Sequence, residues 1–123
     1  MILLVEEDFA TRRALDEFLT GEGFQVLCTA SGSEGLDVLD SYALRPRLVI
    51  LDIKDPLRFR SLQGALPAAR DIPVIVIVPE PDDREVLKLE ATRVLRRPLD
   101  RAALLESVEQ CLGSAEVWVS DGG

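Results

Sequence analysis

The sequence contains no histidine. That removes the commonest general base near neutral pH and the commonest transition-metal ligand together. Its two cysteines, Cys28 and Cys111, lie far apart. Such a pair has neither zinc-ligand spacing nor the density of a disulfide framework, and it reads as two thiols in a reducing cytosol. Cations are scarce: 14 Lys and Arg stand against 22 Asp and Glu, a net charge of −8. Holding a nucleic-acid backbone needs clustered Lys and Arg, so no nucleic-acid contact is expected of this domain. No apolar run approaches the roughly 20 residues of a membrane span. Met1 leads directly into a short apolar run broken by acids, which is not the pattern of a signal peptide. The expectation is a cytoplasmic chain without a membrane contact.

What is present is a chain of 123 residues, of which 47% are hydrophobic. That length suits one domain, and a domain of this size buries roughly two-thirds of the surface its unfolded chain exposes. The apolar residues fall into five short blocks separated by helical patterns. Residues 2–5, 24–29, 48–51, 73–78 and 92–95 read as strands. Asp8, Ser31 or Ser33, Asp82 or Asp83, and Asp100 are positioned to cap helices. The expected inward residues are Ala14, Leu15, Phe18 and Leu19 in the first helix and Leu36, Leu39 and Tyr42 in the second. In the fourth they are Val86, Leu87 and Leu89, and in the last Leu104, Leu105, Val108 and Leu112. Residues 57–70 promise only a poor helix, because Gly64 and Pro67 interrupt them. Strand and helix alternate five times, which means an α/β fold: a parallel sheet with helices on both faces.

One block organises the rest. Leu48, Val49, Ile50 and Leu51 form a continuous branched apolar run, as expected of a strand buried on both sides, and the run ends in Asp52. In open α/β sheets the carboxyl edge carries the site, so Asp52 stands where a carboxylate can do chemistry. A second run ends in Glu6, Glu7 and Asp8. Acids converging on one point repel each other by about 4 kcal/mol per pair at 4 Å and an effective dielectric of about 20. A divalent cation with oxygen ligands relieves that repulsion.

The pattern of these blocks resembles the receiver domain of two-component response regulators, close to the single-domain chemotaxis regulators. The residues that carry the likeness are the first strand with its acids (residues 2–8), residues 47–52 followed by Pro56, residues 73–78, and Leu95-Arg96-Arg97-Pro98-Leu99. It spans residues 1–112 and leaves residues 113–123 as a C-terminal tail or the start of a linker, in which Trp118 reads as packing or as a linker anchor. The resemblance implies a flavodoxin-like five-stranded sheet in the order 2-1-3-4-5. It implies phosphorelay signalling in which a histidine kinase passes a phosphoryl group to Asp52. It implies a weakly held Mg2+ on Glu7, Asp52 and the backbone carbonyl of Lys54, with Glu6 acting through water. It further implies output through a surface rather than a product, hence no enzyme, with a homodimer through the fifth strand and last helix.

The chain departs from the family pattern at the site itself. The family has aspartate where Glu7 stands and a threonine or serine hydroxyl at Val78. It has an aromatic switch residue at Val94 and lysine at Arg97. Arginine keeps the charge but presents a planar fork in place of a point charge, so Arg97 is expected to contact phosphate or to pair with Asp52. Two versions of the function therefore stand open: a phosphorylatable receiver, and a pseudo-receiver that binds partner proteins without phosphorylation. An aspartyl phosphatase is set aside because the chain lacks length for a cap and has neither hydroxyl nor lysine on the fourth strand. A flavin carrier is set aside because the first loop is acidic.

Overall fold

In the computed structural model five parallel strands form one sheet in the order β2-β1-β3-β4-β5. The structure describes residues 1–79 and 83–121, and the side chains of residues 1–79 and 86–113. The elements alternate as expected: β1 (Ile2–Glu6), α1 (Phe9–Gly21), β2 (Val26–Thr29), α2 (Gly32–Leu39), β3 (Leu48–Asp52), α3 (Pro56–Gly64), β4 (Val74–Val78), α4 (Asp83–Leu89), β5 (Arg93–Arg96) and α5 (Arg101–Asp121).

Strand alternation divides the core into two. Leu3, Val5, Val49, Leu51, Val74, Val76 and Val78 point to one face and meet Leu39, Phe59 and Leu89 from α2, α3 and α4. Ile2, Leu4, Leu48, Ile50, Ile75 and Ile77 point to the other and meet Leu15 and Leu19 of α1 and Leu104 and Val108 of α5. The period of two, carried one step further along β1 and β3, puts Glu6 and Asp52 on the α1 and α5 side. The two acids are also register partners on adjacent strands. Burial of β1, β3 and β4 on both faces explains why these strands read as unbroken apolar runs.

Local chemistry sets the helix starts. Asp8 accepts the Thr11 N–H at 2.9 Å, Ser31 accepts that of Glu34 at 3.2 Å, and Asp55 accepts that of Arg58 at 3.1 Å. Each satisfies a first-turn donor that has no partner inside the helix. Pro56 occupies the first turn of α3, where its missing N–H costs nothing. Between 57 and 70, where an interrupted helix is expected, α3 is regular as far as Gly64 and the rest is turns. Glu80, Pro81 and Asp82 lie outside the described residues, and with them the expected stiff turn and the Asp82 cap.

Three expectations about burial fail. Tyr42 lies beyond the end of α2 and is 66% exposed, because α2 stops at Leu39. Leu87 points away from the sheet and is 78% exposed, whereas its helix neighbour Leu89 is buried. Ala14 is exposed although Leu15, next to it, is buried. At the C-terminus Gly113 takes φ 71, outside helical space, as expected of a glycine that ends a helix. Helical backbone nevertheless resumes and runs to Asp121. The reading of Trp118 falls outside the described side chains.

A polar clamp ties α3 to the end of α4, and nothing in the sequence pattern announces it. Gln63 is fully buried; its amide donates to the carbonyls of Ala69 (3.0 Å) and Ile72 (3.3 Å) and its oxygen accepts from Arg60 Nη1 (2.8 Å). Arg60 in turn donates to the carbonyls of Leu89 (2.9 Å) and Glu90 (2.8 Å), which end α4. Gln63→Ala removes the amide donor from the Ile72 carbonyl and one of two donors from the Ala69 carbonyl, which also accepts the Ile72 N–H, and a loss of about 2 kcal/mol is expected, read as a lower urea midpoint at unchanged slope.

Candidate functional site

The site lies at the carboxyl edge of the sheet, where β1 and β3 end side by side. Asp52 is 7% exposed and Glu6 only 2%. Arg97, in the turn between β5 and α5, extends over both. Its Nη2 donates to Asp52 Oδ2 and stands 3.9 Å from Glu6 Oε1. The main chain fixes the root of this side chain, because the Arg97 N–H donates to the Val78 carbonyl at 3.0 Å. The Arg97 side chain is 40% exposed and closes the pair of acids toward solvent.

Glu6 is held from its other side. Its Oε2 accepts the Asp8 N–H at 3.1 Å, and its backbone carbonyl accepts from Arg12 Nη1 at 2.8 Å. Glu6 Oε1 is buried with no hydrogen-bond donor aimed at it. An unpaired buried carboxylate oxygen is costly, and a proton removes that cost while giving the acid a donor toward Asp52. Burial pushes the Glu6 carboxyl up to about 8; the hydrogen bond to Asp52 and the charge of Asp52 push the same way, against the Asp8 N–H and Arg97. Below that pH Glu6 is neutral and adds no second negative charge beside Asp52.

The other expected residues are placed differently. Glu7 is exposed and turned away from Asp52: its Oε1 accepts the backbone N–H of Lys54 at 2.7 Å. Glu7 and Lys54 line a groove of about 450 Å³ floored by Leu36, Ile53, Phe59 and Leu62, and neither Asp52 nor Glu6 opens into it. The structure therefore brings together Asp52, Glu6 and Arg97 and sets Glu7 apart from them. Glu6, expected to act through water, shares the Arg97 guanidinium with Asp52, whereas Glu7, expected as the direct ligand, is engaged by the Lys54 N–H. Among the described residues no three acidic or thiol side chains converge as a metal-holding group. Val78 ends β4 beside Arg97, and Val94 is half-buried against the α2–α4 face. Arg12, whose side chain props the end of β1, is a site residue that sequence reasoning missed; its place one turn into α1 after the acidic strand end is the signal that could have found it.

No family profile matches the chain. Among solved structures it superposes on the signal receiver domain of a signal transduction histidine kinase from Syntrophus aciditrophicus. The TM-score is 0.80 and the identity 26%, over 90% of this chain and 88% of that one. It is 34% identical over 91 residues to the transcriptional regulatory protein AfsQ1 of Streptomyces coelicolor, covering 70% of this chain and 38% of the relative. The homologues and structural neighbours of the chain are response regulator receiver domains. A receiver domain of a sensor histidine kinase from Pseudomonas aeruginosa, solved with a magnesium ion coordinated in its active-site cleft, shares the fold: TM-score 0.81 at 22% identity, over 90% of this chain and 95% of that one. Receiver domains serve two-component phosphorelay signalling, and that is the class of this receiver. The receiver spans between 15% and 38% of the length of the regulators and the histidine kinase among its curated relatives. No helix among the described residues is long and apolar enough to cross a membrane.

Proposed function

We propose that Asp52 is the phosphoryl acceptor of this receiver, supplied by a histidine kinase or another phosphotransfer protein. The observation that carries the proposal is the Asp52 carboxylate at the carboxyl edge of β3, flanked by a neutral-capable acid and gripped by one cation. In the transfer an oxygen of Asp52 attacks phosphorus, a P–O bond forms, and the bond from phosphorus to the donor breaks with its electron pair leaving on the donor. Protein groups contribute mainly positioning and charge neutralisation to such a step. Arg97 neutralises charge at the acceptor, and a protonated Glu6 removes one of the two repelling carboxylates.

The oxygens at this edge also fit Mg2+, the ion in the cleft of the Pseudomonas receiver. Hard oxygen donors are what the ion takes, and Glu6, on giving up its proton, would offer the buried Oε1, at which no protein donor is aimed. Asp52, Glu6 and the Lys54 carbonyl are the groups that would hold it, with Glu7 at the rim; bound there it supplies further neutralisation of the phosphoryl oxygens. Weak binding is the expectation, since Arg97 already serves Asp52.

Acetyl phosphate with Mg2+ is expected to add one phosphoryl mass to a minor fraction of the protein, and Asp52→Asn is expected to abolish it. A complete lack of adduct, with beryllofluoride also failing to bind, would sink the proposal. The second reading then stands: a pseudo-receiver that binds a partner protein without phosphate. The observation that favours it is the Arg97–Asp52 pair, which locks the acceptor from within.

A further inference from the structure

We infer that Arg97 is a tethered counter-ion that competes with Mg2+ for Asp52 and Glu6, and so sets the metal affinity of the site. The inference rests on the metal reading above. A single guanidinium nitrogen contacts Asp52 Oδ2 and stands 3.9 Å from Glu6 Oε1, the two oxygens a cation at this edge must take. The position is built in, because the Arg97 N–H is bonded to Val78 O at 3.0 Å and the strand pairing sets Val78 against Arg96. Nearby cations are engaged elsewhere: Arg12 donates to the Glu6 carbonyl and lies over the Phe9 ring at 5.5 Å, and Lys54 is exposed. Arginine suits the task better than lysine. Its charge is permanent and its planar fork can face two carboxylates at once, whereas an ammonium is more strongly hydrated and more readily given up to water. A metal ion can take these oxygens only as the guanidinium leaves them, so the contact Arg97 makes is subtracted from the affinity for the ion.

The test is a Mg2+ titration of the unphosphorylated domain, followed by calorimetry and by backbone amide NMR shifts at Asp52 and Lys54. The wild type is expected to bind at millimolar concentrations or weaker. Arg97→Gln is expected to bind about 10- to 100-fold more tightly, the scale of a charged hydrogen bond. Arg97→Lys falls between the two and carries the test if the glutamine variant does not fold. Equal or weaker affinity in the variants overturns the inference and leaves the metal reading standing. Absence of binding in all three proteins overturns both.

Discussion

Raising the pH from about 5 to about 9 in EDTA is expected to lower the stability of the domain by roughly 3 to 5 kcal/mol through one residue, Glu6. The carboxyl is pushed up to about 8 in the fold from an ordinary 4.5, by burial first and by Asp52 second. Between those two values the folded state keeps a proton that the unfolded state has lost. Stability therefore falls as pH rises, because the slope of unfolding free energy follows the protons bound in the unfolded state minus those bound in the folded. The loss begins above about 4.5 and is complete above about 8. This runs opposite to a salt-bridged carboxylate, whose stabilisation is lost as pH falls.

Glu6→Gln isolates the effect. A glutamine amide keeps both contacts of the neutral acid: an oxygen for the Asp8 N–H and a donor for Asp52. The variant is expected to show little pH dependence in this window and to be the more stable protein at about pH 9. Urea unfolding of the two proteins across the range measures the difference. Parallel curves would show that Glu6 is ionised in the fold throughout. Cys28 does not blur the result, since burial and Asp16 hold its thiol up at about 11, above the window.

The likeness of this chain to its relatives was legible because the strands β1, β3 and β4 are buried on both faces and so announce themselves as branched apolar runs ending at one edge. The position of Asp52 followed from that. The partition between Glu6 and Glu7 did not, although its signal was present: Ile2, Leu4 and Glu6 share one face by the period of two, as do Leu48, Ile50 and Asp52. Carrying the strand period one residue past its last apolar member predicts a buried Glu6 and an outward Glu7. Arg97 could be placed near Asp52 from the sequence, but its reach to Glu6 could not, since that depends on the turn after β5. The Gln63–Arg60 clamp was invisible for another reason. A buried glutamine in a weakly amphipathic helix gives no periodic signal, and its partners are carbonyls contributed by segments that follow in the chain.

Val78→Thr is expected to raise the rate of Asp52 phosphorylation by acetyl phosphate on the order of 100-fold, which is the scale on which a single preorganised donor changes a charged transition state. The resemblance to receiver domains implies a hydroxyl at this position, and valine has the same shape with nothing to donate. Val78 ends β4 and its carbonyl accepts the Arg97 N–H, so the residue stands at the same sheet edge as Asp52. Charge in phosphoryl transfer spreads over the three oxygens of the moving group, and one donor from β4 serves an oxygen that Arg97 cannot reach while it holds Asp52. The exchange has a cost. Val78 is 8% exposed and packs with Val76 and Leu51, so a hydroxyl placed there before phosphate arrives loses about 1 kcal/mol of stability. A variant that is less stable and yet faster separates this effect from a general tightening of the fold. Val78→Ala is the control: it removes both methyls, one more than threonine gives up, without supplying a donor, and its rate should stay near that of the wild type. Equal rates in the threonine and alanine variants would mean that access past Arg97, and not the missing hydroxyl, limits transfer to Asp52.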